Sequence, residues 1–266
     1  MDQDKRFLTD VGMSNLPLPI KVASRVRPEG QLTVASINVT ARIEHEFEPR
    51  WIDKFIQIIH RHRENIGTSS LRENIFAYRD ELNATMVKID FEYPFFIEKL
   101  TPVSGEKNLV RYNCLYSAKI DQIGQPKVLF RISIPVITTD PASSFIMPQR
   151  VFAQLSNLFI EIESVHDIYP EDLVSVAERH VLMPVYSFLT EADQAYVIQK
   201  VHTEKKSSVE TVDDIKTALG SDPKVAWYSV KCSNFSMLHS YSTLVTSEKG
   251  AWVSYGEYAE ELDREM

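Results

Sequence analysis

The hydrophobic period switches twice from two to about 3.6 and back, and this alternation restricts the chain to few architectures. The first period-two run carries Leu32 and Val34, then Ile37, Val39, Ala41 and Ile43. Its slip of phase near Ala35 and Ser36 predicts a bulge. Helical spacing takes over at Trp51, Phe55, Ile58 and Ile59, and a second helix is expected from about Ser70 to Leu82. Val87, Ile89 and Phe91 then alternate with Lys88, Asp90 and Glu92, and a longer run alternates through Val110, Tyr112, Cys114, Tyr116, Ala118 and Ile120.

After a turn at Gly124–Gln125 the cycle repeats. Phe130, Ile132, Ile134 and Val136 read as one strand, and Leu158, Ile160 and Ile162 as its partner. Helices are expected at Leu173, Val176, Ala177 and His180, around Phe188 to Val201, and at Val209, Val212, Ile215 and Leu219, with Gly220 as a stop. Val225, Trp227 and Ser229 begin a last strand pair. Strands, helices, then strands, twice over, predict an α+β chain of two modules, each an antiparallel sheet with its helices on one side. The modules are expected at residues 31–124 and 125–255. Residues 1–30, with Pro17, Pro19, Pro28 and Gly30, read as an extended N-terminal arm ordered on the body or on a neighbour. Residues 256–266, with Glu257, Glu260, Glu261 and Asp263, read as an exposed acidic tail.

A hydrophobic content of 44% supplies a core, and a formal net charge of −8 argues against a nucleic-acid partner, which demands a surplus of Lys and Arg. Cys114 and Cys232 form neither a CxxC pair nor a disulfide framework, which suits a reduced cytoplasmic setting. Met1 to Thr9 lacks the apolar core of a signal peptide, and no window approaches the ~18 apolar residues of a membrane span, so no membrane partner is expected.

One long stretch is distinctive: Tyr93-Pro94-Phe95-Phe96-Ile97-Glu98-Lys99, then Pro102-Val103-Ser104-Gly105-Glu106-Lys107, then Leu109, Tyr112 and Cys114. With it go Val11-Gly12, Leu16 through Ile20, Gly30-Gln31, Thr33-Val34-Ala35, His45, Phe47, Phe55, Pro184-Val185-Tyr186, Asn234-Phe235 and Leu238-His239. On these segments the chain resembles the prokaryotic GTP cyclohydrolase IB family over about residues 11–245. The resemblance implies a tandem tunnelling fold that assembles into a barrel-like homo-oligomer, with sites at or near subunit interfaces. It also implies opening of the imidazole ring of GTP, release of formate and formation of a dihydropterin triphosphate with the help of a divalent metal.

The implied metal ligands are largely replaced. Soft thiolate and imidazole ligands suit zinc. The stretch matching the family's Cys-Pro-Cys element is Ile134-Pro135-Val136-Ile137-Thr138-Thr139-Asp140-Pro141-Ala142, without either thiol. The family's histidine falls in Ala153-Gln154-Leu155-Ser156, its acidic ligand at about Gln194, and the second histidine of its His-x-His element at Tyr241. His239 remains. No metal and no other cofactor is therefore expected, unless Asp140, Asp193 or Glu191 rebuilds with His239 an oxygen-rich site for zinc or another divalent ion. Asp140-Pro141 alone also reads as a turn.

His239 is the candidate for proton transfer. Glu210 matches a family carboxylate suited to the N1–H and exocyclic amine of a guanine or pterin, and Ser207-x-x-Glu210 is equally a helix capping box. Ser104 and Lys107 frame a turn whose backbone N–H groups and ammonium suit a phosphate. Glu98 and Lys99 are expected to pair with each other or with neighbours. Arg61-His62-Arg63, after His60, reads as a cationic helix end or as a triphosphate receiver. Arg72 and Arg150 carry no assignment, and His166, His180 and His202 are expected on surfaces or helix faces. The leading expectation is a protein that retains a purine or pterin nucleotide pocket but has lost zinc-dependent GTP ring opening. An active divergent cyclohydrolase with a rebuilt metal site, and a non-catalytic binding or scaffold protein, are the alternatives.

Overall fold

In the computed structural model, which describes residues 9–44, 50–121, 124–140, 151–235 and 240–249, the period-two runs form one antiparallel sheet. The first half contributes β1 (Thr9–Val22), β2 (Gln31–Ile43), α1 (Arg50–His62), α2 (Thr68–Glu81), β3 (Met86–Leu100) and β4 (Lys107–Asp121). The second contributes β5 (Lys127–Thr139), β6 (Ala153–Ser164), α3 (Pro170–His180), β7 (Met183–Pro184), α4 (Glu191–Thr203), α5 (Ser208–Ser221), β8 (Val225–Phe235) and β9 (Ser242–Glu248). Strand order is β1-β2-β3-β4-β5-β6-β8-β9, with β7 paired to β5. The first half thus runs ββααββ, the pattern of the tunnelling fold, and the second keeps it with β7 and one further helix added among its helices.

Alternation decides which face is covered. Val110, Tyr112, Cys114, Tyr116, Ala118 and Ile120 are buried beneath the helices, whereas Leu109, Arg111 and Asn113 lie exposed on the opposite face. The halves join where β4 pairs with β5, and Tyr116 and Phe130, register partners there, bring their rings to 4.6 Å. Tyr93 extends the stack to Tyr116 at 6.1 Å. Side chains clamp the joint from outside the sheet. Arg72 of α2 donates to the Ser164 and Val165 carbonyls, Asp167 accepts the Ser69 N–H at 2.9 Å, and Arg25 pairs with Asp172 while lying 4.8 Å over the Tyr169 ring.

Three local expectations are corrected. The segment read as an arm contains edge strand β1, where Pro17 and Pro19 are tolerated because an outward N–H needs no partner. The bulge lies in β1 rather than at Ala35–Ser36. Met13 faces Val39 but Leu16 faces Ile37, and the extra residue is absorbed at Asn15, with φ 57° and its N–H bonded to Asn38 Oδ1 at 2.8 Å. The apparent slip in β2 arises because Leu32 and Val34 are apolar yet sit on the bare face. Helix α5 continues through Gly220, and its last turn closes at Asp222, whose N–H bonds the Leu219 carbonyl.

Both cysteines are free and buried. Burial raises the Cys114 thiol well above its ordinary value and pushes Cys232 up to about 11, so both are neutral thiols near pH 7. Among the described residues no helix is long and apolar enough to cross a membrane. The acidic tail, Arg150 and Ala142 lie outside the described residues. Because Phe130 fills the joint between the halves, Phe130→Ala is expected to destabilise the chain by about 3–5 kcal/mol in urea unfolding, with both halves losing structure in one transition.

Candidate functional site

The segments matching the family's ligand-bearing positions converge at one end of the second half. There the end of β5, the start of β6 and helix α4 share a small apolar cluster, in which Leu182, Met183 and Val201 pack with Ile137, Ala153, Tyr186 and Val197. Beside it, on the helix-covered face, a buried polar ladder crosses four strands. Gln154 Nε2 donates to Thr138 at 3.3 Å, the Thr138 and Ser156 hydroxyls meet at 2.8 Å, and Ser156 donates to Asn234 Oδ1 at 2.9 Å. The Asn234 amide then donates to Ser208 at 3.0 Å and Thr243 at 3.2 Å, while Cys232 donates to Asn234 Oδ1. Strand register builds the ladder, since Thr138 faces Gln154, Ser156 faces Asn234, and Asn234 faces Thr243. Each buried group meets a partner, so the ladder is stable without a charge.

Ser208 brings the start of α5 onto this ladder. The preceding loop is docked on the end of β5: Thr139 N–H bonds the Lys206 carbonyl at 2.8 Å, and the Thr139 hydroxyl accepts from Lys206 N–H at 3.0 Å. Glu210 closes the capping box, its Oε2 accepting from the Ser207 N–H and hydroxyl, each at 2.8 Å. Those two bonds from Ser207 hold its carboxyl below the ordinary glutamate value. Oε1 has no hydrogen-bond partner among the described residues, so an exposed carboxylate oxygen is presented at the helix start.

Asp193 is the residue whose role most departs from expectation. Its side chain is fully buried, and it accepts from Val103 N–H and Ser104 N–H at 2.9 Å each and from the Ser104 hydroxyl at 2.7 Å. The Thr190 N–H at 3.0 Å and hydroxyl at 2.6 Å complete the set. Burial alone would raise the carboxyl, but these bonds together hold it far below the ordinary range. An internal carboxylate therefore occupies the turn at Ser104, whose donors are not free for a phosphate. Lys107 is paired with Glu98 at 2.8 Å. Lys99 turns inward to Glu178 and lies 5.1 Å from the Tyr112 ring, with burial lowering its ammonium to about 8.

The other candidates separate. Gln194 bonds the Leu189 carbonyl at 3.2 Å, and Asp140 N–H bonds the Phe152 carbonyl. Glu191 stands exposed in the first turn of α4. Arg61 pairs with Glu81 and Arg63 with Glu64, and His62 packs edge-on to Tyr78 with its pKa lowered by burial. The basic cluster is thereby a neutralised helix end. His180 approaches Asp214 at 3.9 Å, an aspartate already paired with Lys206. His239 lies outside the described residues.

The described donors at the matched positions do not fit a zinc-type site. Gln154 is spent in the ladder with Thr138, Gln194 offers an amide, and every strong acceptor direction of Asp193 is taken. Among the described residues no three His, Cys, Asp or Glu side chains are grouped to hold a metal ion. A rebuilt site using Asp193 is thus corrected: the aspartate is a structural anchor. The Thr190-x-x-Asp193 capping box is local in the chain, yet nothing local announces that Val103 and Ser104 also reach Asp193.

Comparison with known proteins places this geometry. The family model described as type I GTP cyclohydrolase folE2 matches residues 2–244. GTP cyclohydrolase FolE2 of Geobacter metallireducens is 27% identical over 248 residues, covering 93% of this chain and 94% of that protein. The Dictyoglomus turgidum protein of the same name is 29% identical over 251 residues, with 93% and 94% covered. The expected resemblance to type IB is thus met at the level of a GTP cyclohydrolase, with the FolE2 type as the one matched. Among solved structures, urate oxidase from Bacillus sp. TB-90 aligns with TM-score 0.56 at 8% identity, covering 91% of this chain and all of that one. Uricase from Arthrobacter globiformis aligns with TM-score 0.53 at 8% identity, covering 95% and 98%. At such identities these neighbours speak for the fold alone.

The buried anchor yields a pH test. The folded Asp193 carboxyl ionises below the ordinary value of 3.8, so its contribution is complete above that pH and is lost as pH falls beneath it. Melting temperatures measured between about pH 6 and pH 3 should fall less steeply in Asp193→Ala than in the wild type, from a lower starting value.

Proposed function

The chain belongs to the type I GTP cyclohydrolase FolE2 family, and on that premise we propose that it is a divergent GTP cyclohydrolase that opens the imidazole ring of GTP and releases formate. The observation that carries this reading is the extent of the match, which runs through residues 2–244 and covers both halves. Glu210 supports it. The carboxylate caps α5 with Oε2, and Oε1 remains to accept from the N1–H or exocyclic amine of a guanine. His239 is assigned the proton transfers that ring opening demands. The described donors do not fit a zinc-type centre, so no step is assigned to a metal.

A second reading rests on a specific observation. At the position where the family's imidazole ligand is expected, Gln154 is committed to the Thr138–Ser156–Asn234 ladder. This favours a pocket that binds a purine or pterin nucleotide without zinc-dependent ring opening.

Incubation of the purified chain with GTP and, separately, zinc, manganese or magnesium is expected to release formate. If none is released while GTP or a pterin raises the melting temperature, the binding reading replaces the enzymatic one. Glu210→Gln and Glu210→Ala test the anchor. Glutamine keeps the capping box, so Glu210→Gln should leave stability nearly unchanged while weakening GTP about tenfold in KM or Kd. Glu210→Ala should show the same weakening and also lose about 1 kcal/mol of stability.

A further inference from the structure

On the face of the sheet that no helix covers, a groove of about 450 Å³ crosses β4, β5, β6 and β8. Small-ligand pockets span roughly 300–1,000 Å³, so this volume suits a single bicyclic ring system with one substituent. Its floor is polar, with Arg111 and Asn113 on β4, Ser133 on β5 and Asn157 on β6. Leu155 and Phe235, register partners across β6 and β8, form an apolar wall and remain 52% and 50% exposed.

The charge distribution selects the ligand. Two other cations of the uncovered surface are paired in place, Lys107 with Glu98 and Arg131 with Glu161 at 2.8 Å each, and Lys231 lies over the Phe159 ring. Arg111 has no carboxylate partner among the described residues, and Asn113 has no side-chain hydrogen bond among them. Asn157 Oδ1 is taken by the Ser133 hydroxyl at 2.8 Å, which leaves its amide N–H groups as the free pole. The groove therefore offers donors in excess of acceptors beside two exposed apolar side chains. A guanidinium fork matches a carboxylate or phosphate, and a planar ring packs on a Phe–Leu wall at low entropic cost.

We propose that this groove binds a planar bicyclic aromatic anion, its ring against Phe235 and Leu155 and its acid group on Arg111. The site is separate from the one proposed for GTP, because Glu210 and the polar ladder belong to the helix-covered side. Ser156 borders both, but its hydroxyl is directed to Thr138 and Asn234.

Isothermal titration of the full chain with quinoline-2-carboxylate and with 1-naphthyl phosphate tests the proposal, with neutral quinoline as control. Saturable binding of at least one acid, and much weaker binding of quinoline, is expected. A response to the carboxylate alone or to the phosphate alone identifies the acid group. Arg111→Ala should weaken the acid about tenfold or more, and Phe235→Ala several-fold, with unchanged circular dichroism. Should Arg111→Ala fold poorly, Arg111→Gln carries the same expectation. Absence of saturable binding by both acids, or equal affinity in the wild type and the Arg111 variant, overturns the proposal. Formate release from GTP is expected to be unaltered by Arg111→Ala, so a failed groove and a failed cyclohydrolase reading give different results.

Discussion

The pairing of β4 with β5 is the contact on which the rest of the molecule depends. Seven register pairs, from Asn113–Ser133 to Lys119–Lys127, turn the two halves into one sheet. Each half alone would expose an unpaired strand edge, along with the side of an aromatic stack that the other half completes. Tyr116 and Phe130 meet across this seam, and the clamps from Arg72, Ser69 and Arg25 close the helix layer over it. Everything that follows is positioned by that continuity. Within the second half, the β5–β6 and β6–β8 registers align Thr138 with Gln154 and Ser156 with Asn234, while on the other face the seam sets Asn113 opposite Ser133.

Asp193 serves the second union between the halves. The turn from Thr101 to Glu106 belongs to the β3–β4 hairpin of the first half, whereas Asp193 stands at the start of α4 in the second. Five donors converge on one carboxylate, and burial strengthens each bond by excluding water. An anion is needed at that turn, and the chain supplies it internally. The turn resembles a phosphate cradle in sequence for this reason: the same successive N–H groups that suit a phosphate suit a carboxylate.

Legibility in the sequence followed locality. Val87, Ile89 and Phe91, or Phe130, Ile132 and Ile134, announce strands because one-sided burial imposes period two on adjacent residues. The helix starting at Ser208 is legible because Ser207 and Glu210 bond within four residues of each other. Strand β1 is obscured by Pro17 and Pro19, which an edge tolerates, and the bulge is misplaced because Leu32 and Val34 are apolar on an uncovered face. In the site, Glu210, Gln154 and Gln194 are legible as residues, but the ladder that holds Gln154 is not. Thr138, Gln154, Ser156 and Asn234 are distant in sequence, and only strand register makes them neighbours. Asp193 is the extreme case, since three of its five donors lie about ninety residues away.

The ladder also shows how a buried polar row at this end of the sheet is stable without a metal ion. Buried thiolate and imidazole ligands are stable as a group only with a cation among them, so replacing one would leave the others with unmet charge or unmet lone pairs. Hydroxyls and amides carry no net charge, and a directed chain from Gln154 through Thr138 and Ser156 to Asn234 satisfies both donors and acceptors. The stability of the fold rests on the aromatic seam and the buried Asp193, both remote in kind from ligand chemistry. The recognition proposed for Glu210 likewise draws on the helix cap rather than on the ladder. The groups that hold the fold and the carboxylate proposed for recognition are thus separable in this chain.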